Sequence, residues 1–136
     1  MQQLDILIVD DEPQVAKSIT RVLSKQGYRV LSTHSSAEAL ELIGGTRFKV
    51  VVADVKMSRM NGLELLDKVQ EMDPDATRIV LSGHTDVALI LKLVNARGID
   101  KYLVKPWENE DLILAVERCV ELYDLRKKAG VAGDKK

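Results

Sequence analysis

Apolar residues along this chain follow two alternating rhythms. Short runs that are apolar at nearly every position occur at LDILIV (4–9), YRVLST (28–33), FKVVVA (48–53), TRIVLS (77–82) and DKYLV (100–104). Runs of this length, rich in Val, Leu and Ile, suit strands buried on both faces. Between them apolar residues recur every three or four positions: Val15, Ile19, Val22 and Leu23; Ala37, Leu40 and Ile43; Leu63, Leu66 and Val69; Val87, Ile90, Leu91 and Val94; then Leu112, Val116, Cys119, Val120 and Tyr123. That spacing is one face of a helix. The pattern predicts an α/β fold, (βα)5, with a doubly wound five-stranded parallel sheet, helices on both faces and right-handed crossovers.

The residues between these runs predict where the elements stop. Pro13 fits the first turn of a helix, Ser36 with Ala37, Glu38 and Ala39 fits a helix start, and Gly27, Gly44, Gly45 and Gly98 fit helix ends. The last helix is expected over about 109–128. Residues 1–128 then form one domain, with AGVAGDKK (129–136) a linker or an appended tail.

Composition narrows the function. With 136 residues the chain buries roughly 70% of the surface its unfolded form exposes, which needs no disulfide or structural metal. A net charge of −1 lacks the basic excess of a nucleic-acid binder, so no nucleic-acid partner is expected through this domain. The single cysteine, Cys119, reads as inert core in a reducing compartment. No apolar run approaches the about 20 residues a membrane span requires, and no secretory signal is present, so a cytoplasmic protein with no membrane association is expected.

Open parallel sheets gather ligands at the carboxyl ends of their strands. The first strand delivers Asp10 and Asp11 there, the third Asp54, the fourth Ser82 and the fifth Lys105, just before Pro106. Adjacent carboxylates repel and are costly to bury without partners. Three of them on one rim make an oxygen-rich pocket for a hard divalent cation, with Mg²⁺ preferred because it needs few protein carboxylates. A carboxylate beside such an ion can attack phosphorus while a lysine and a hydroxyl hold the transferred oxygens. Asp54, alone at its strand end, is the candidate nucleophile.

These residues resemble the receiver domain of two-component response regulators: DDE at 10–12, Asp54 after an apolar strand, Ser82-Gly83 after the fourth strand, and Tyr102 three residues before Lys105-Pro106. The resemblance covers about residues 4–126 and implies a flavodoxin-like, CheY-like fold. It implies that Asp54 accepts a phosphoryl group from a histidine kinase. Asp11, Asp54 and the Lys56 backbone carbonyl would ligate Mg²⁺, Asp10 would contact it through water, and Lys105 would pair with the phosphoryl oxygens. Ser82 would then move onto the phosphoryl group and Tyr102 turn inward. That would reshape the face of the fourth helical stretch, the fifth strand and the fifth helix toward an output domain, a partner protein or a phosphorylation-dependent homodimer. A cis Lys105-Pro106 bond is implied as well. Lys56 and His84, two past the nucleophile and two past the hydroxyl, would flank the water that removes the phosphoryl group and so tune its lifetime. Such a domain is a switch, not a conventional enzyme.

The stretch DVKMSRMNG (54–62) departs from the family's D-x-x-M-P-x-M-x-G loop, with Ser58 at the usual proline. That frees a backbone angle but removes no ligand. VALILKLV (87–94) is apolar over more of its circumference than one sheet face requires, which suggests a partner surface. KPW (105–107) with a long last helix resembles receivers attached to HD-GYP phosphodiesterases or to hydrogenase-type regulators. A stand-alone receiver acting as a phosphate sink is the nearest alternative. A Mg²⁺-dependent aspartyl phosphatase is less consistent, since its D-x-D would follow the first strand. A dinucleotide site lacks its G-x-G-x-x-G. Glu12 and Glu38 suggest helix starts only, and the lone histidines His34 and His84 suggest solvent-facing positions.

Overall fold

A computed structural model of the protein describes residues 2–55, 62–83, 88 and 99–133. Five strands, β1 (Gln2–Val9), β2 (Val30–Thr33), β3 (Thr46–Asp54), β4 (Thr77–Ser82) and β5 (Lys101–Val104), form one all-parallel sheet in the order β2-β1-β3-β4-β5. Each expected strand is present. The order reverses direction between β1 and β3, so the crevice where ligands collect opens at those two strand ends.

The described helices are α1 (Pro13–Lys25), α2 (Ser36–Gly45), α3 (Gly62–Met72) and a C-terminal helix (Asn109–Gly133). One core joins Leu7, Val9, Val51, Ala53 and Val80 to Ala39 and Ile43 of α2 and to Leu63, Leu66 and Val69 of α3. The other joins Ile6, Ile8, Val50, Val52 and Ile79 to Ala16, Ile19 and Leu23 of α1 and to Leu112, Val116 and Cys119 of the C-terminal helix. Alternate residues of each central strand thus feed opposite cores, which is why β1, β3 and β4 are apolar throughout. Among the described residues no helix is long and apolar enough to cross a membrane.

Helix ends differ in part from expectation. Gly27 does close α1, with a φ of 92 that favours glycine. Gly44 and Gly45, read as a helix end, form the last turn of α2, and the extended Thr46 caps the helix and leads straight into β3. At the other end Ser35 caps α2 by accepting from the Glu38 N–H at 3.2 Å. The C-terminal helix runs on to Gly133, past the expected 128. The helical stretch expected at 87–94 and its Gly98 end lie outside the described residues.

Candidate active site at the carboxyl ends of the strands

β1 hands the chain to the crevice through Asp10. Its N–H continues the ladder to the Thr33 carbonyl at 3.2 Å, and its side chain is wholly buried. Oδ1 accepts from the Glu12 N–H at 2.9 Å. Oδ2 is buried with no hydrogen-bond partner among the described residues. Asp11 follows, half-buried. Glu12 is the N-cap residue of α1, yet its side chain makes no capping bond. Asp10, Glu12 and Asp54 each present a carboxylate oxygen within 4.8 Å of the other two, and Asp11 is not one of that trio.

Asp54 ends β3 and is nearly fully buried. Its Oδ2 accepts from Lys105 Nζ at 2.8 Å, and Glu12 Oε1 lies 3.9 Å from the same ammonium. Lys105 is placed by its own backbone, whose N–H donates to the Ser82 carbonyl at 2.8 Å and extends the β4–β5 pairing by one residue. Its bond to Pro106 is cis. Ser82 is buried at the end of β4, and among the described residues its Oγ also has no hydrogen-bond partner. Behind Asp54, the Gly62 N–H returns to the Val55 carbonyl at 3.1 Å. A Cβ on Gly62 would collide with the Asp54 carbonyl oxygen, and its carbonyl carbon would lie 2.7 Å away. Only glycine lets α3 start so close to β3.

Among the described residues the charge is unbalanced here: three carboxylates face one ammonium. Burial pushes the Asp10 carboxyl up to about 6, against the opposing pull of the Glu12 N–H and Lys105, and with the Asp54 and Glu12 charges adding to it. Burial works against the Lys105 ammonium, but its hydrogen bond to Asp54 and the charges of Asp54, Asp10 and Glu12 prevail and raise its pKa. An unsatisfied buried carboxylate oxygen in an all-oxygen acidic cleft fits a hard divalent cation, which supplies the missing partner and offsets the surplus charge.

Four expected site residues, Asp10, Asp54, Ser82 and Lys105, meet at this rim. Tyr102 stands on β5 and is 37% exposed. Lys56, Ser58 and His84 lie outside the described residues. His34 is exposed, with Nδ1 3.1 Å from the Asp10 carbonyl oxygen. Cys119 is buried, and burial pushes its thiol up to about 12, where it is unreactive. Two residues gain a role that the sequence pattern did not assign. Glu12 reads locally as a helix-start acid, and Gly62 as the last letter of a loop.

The profile of the response regulator receiver domain matches residues 6–117. The chain is 33% identical over 128 residues to the hydrogenase transcriptional regulatory protein HoxA of Bradyrhizobium diazoefficiens, covering 94% of this chain and 26% of that protein. It is 36% identical to the transcriptional regulatory protein FixJ of Rhizobium meliloti, covering 89% of this chain and 59% of that one. This chain therefore spans between about a quarter and three fifths of these relatives. Among solved structures, the signal receiver domain of an HD domain-containing protein from Pseudomonas fluorescens superposes with a TM-score of 0.85 at 28% identity, over 94% of each chain. With the sheet order, the acidic crevice and the matched profile in agreement, the chain belongs to the response regulator receiver domain family.

Proposed function

We propose that this domain is a phosphorylation-driven switch in which Asp54 accepts a phosphoryl group from a histidine kinase. The observation that carries the reading is the buried Asp54 carboxylate held by Lys105 at 2.8 Å inside an acidic cleft. An Asp54 oxygen attacks phosphorus, the donor's P–N bond breaks and the imidazole leaves with its proton. Mg²⁺, held by Asp11, Asp54 and the Lys56 carbonyl and by Asp10 through water, would supply charge compensation for the phosphoryl oxygens. Lys105 transfers its hydrogen bond from Asp54 to a phosphoryl oxygen, and the Ser82 hydroxyl, without a partner among the described residues, donates to another. Tyr102, 37% exposed on β5, follows inward and alters the face that β5 shares with the C-terminal helix. That face signals to an output domain, a partner or a second copy. Leu89, Lys92 and Leu93, expected on the same face, lie outside the described residues. Lys56 and His84 set the lifetime of the acyl phosphate. A cytoplasmic location accords with this role.

Incubation with acetyl phosphate and Mg²⁺, followed by intact-mass measurement, tests the proposal. One phosphoryl group is expected on the wild type and none on Asp54→Asn or after chelation. Uptake on the Asn variant, or uptake indifferent to chelator, sinks the assignment.

A further inference from the structure

Glu12 stands at the N-cap of α1, and its carboxylate is not spent on the helix end. The first N–H groups of a helix have no partner within it, and short acceptors such as Asp or Ser at the N-cap satisfy them, a task the longer glutamate side chain suits poorly. At the start of α1 no such side-chain bond forms. The Glu12 backbone is instead pinned by Asp10 Oδ1 at 2.9 Å, and its carboxylate stands with those of Asp10 and Asp54. It lies 3.9 Å from the ammonium that also holds Asp54. Beside it, the Asp10 Oδ2 atom is buried without a partner among the described residues.

We propose that Glu12 is a cation-positioning residue of the acceptor site, an outer carboxylate that draws a divalent ion into the Asp10–Asp54 cleft. The inference rests on the acceptor-site reading above and adds a residue to it. Mg²⁺ dehydrates reluctantly and keeps several waters. A carboxylate with a 65% exposed side chain on the solvent side of two buried ones is placed to accept from such a water, in the way outer partners orient ligands in other metal sites. Before the ion arrives, the same carboxylate shares Lys105 with Asp54. Its negative charge thus has a partner in both states.

Mn²⁺ binding, read from the electron paramagnetic resonance of the free ion, tests this on the unphosphorylated protein. The variants are Glu12→Gln, Glu38→Gln and Asp54→Ala. Glu38 is an exposed acid in the first turn of α2, so its variant controls for net charge and helix-start effects. Glu12→Gln is expected to raise the Mn²⁺ Kd about fivefold, the effect of one water-screened carboxylate a few Å from a divalent ion. Glu38→Gln should leave it unchanged and Asp54→Ala should abolish binding. Loss of binding in Asp54→Ala with Glu12→Gln within about twofold of wild type overturns the role of Glu12 and leaves the acceptor site standing. Equal weakening in both Gln variants overturns it as a charge effect. Undiminished binding in Asp54→Ala overturns the acceptor-site reading and this inference together.

Discussion

Lys105 Nζ sits 2.8 Å from Asp54 Oδ2, joining the end of β5 to the end of β3 across β4, which lies between them. Fifty-one residues separate the two in sequence, and what brings them together is register. Asp54 pairs with Leu81, Ser82 pairs with Val104, and Lys105 extends that ladder by one N–H. The ammonium therefore places a positive charge beside Asp54, at the edge of the Asp10, Glu12 and Asp54 carboxylate cluster.

Removing that ammonium should move stability and cation affinity in opposite directions. Lys105→Ala leaves Asp54 buried without this counter-charge. A one-third exposed lysine is partly screened, so the expected loss is about 1–2 kcal/mol in metal-free buffer. The same variant should bind Mg²⁺ more tightly, read from the fluorescence of Trp107, the one tryptophan. A variant that is less stable and also weaker in Mg²⁺ would show that Lys105 supports the cleft without competing for it.

Asp10 predicts a pH dependence. Its folded value of about 6 lies above the ordinary 3.8, so folding favours the protonated form. Its contribution is fully present below pH 4 and is lost as pH rises through 6. Asp10→Asn keeps an oxygen for the Glu12 N–H and removes the charge. At pH 7.5 without divalent ions it should be more stable than wild type by on the order of 1–2 kcal/mol, with the gap closing toward pH 4. Urea unfolding across that range measures it, and a gap of constant size would rule out this origin.

Two glycines should respond oppositely to alanine. Gly62→Ala drives a methyl into the Asp54 backbone and should cost about 2–3 kcal/mol while lowering phosphoryl uptake. Gly45→Ala meets open space in the last turn of α2 and should gain about 0.5–1 kcal/mol. Thermal melts of the pair decide it. If Gly62→Ala is neutral, the approach of α3 to β3 is looser than the distances imply.

What the sequence made legible was what local pattern encodes. Both-face apolar runs specified β1, β3 and β4 because helices cover these strands on both sides, shorter runs marked the less buried β2 and β5, and the strand-end positions of Asp10, Asp54, Ser82 and Lys105 followed from the topology. Glu12 was hidden because an acid before Pro13 is indistinguishable from a helix-start residue until its side chain is seen to make no capping bond. Arg78 was hidden inside TRIVLS, where nothing local signals that a buried guanidinium has partners on other elements. Its Nη1 lies 3.2 Å from Gln70 Oε1 in α3, and its backbone N–H donates to Asp100 Oδ2 at 2.9 Å.

Asp100 carries the last prediction. At the amino end of β5, opposite the acceptor site, its carboxylate takes the Arg78 N–H and both ends of the Arg126 fork, at 2.5 and 3.4 Å. Arg126 lies in the final turns of the C-terminal helix, so one buried carboxylate ties that helix to the strand ending next to Lys105. A planar fork is needed to span both oxygens, and lysine cannot replace it. Arg126→Lys should therefore raise amide exchange across 120–133 about tenfold, equivalent to about 1.4 kcal/mol of local stability. Asp100→Ala should do the same and lower global stability by about 2–4 kcal/mol, because it removes a buried counter-charge. Exchange in 120–133 that stays at the wild-type rate in both variants would mean that apolar packing of Val116, Cys119 and Tyr123 alone holds the helix, and that Asp100 merely satisfies β4.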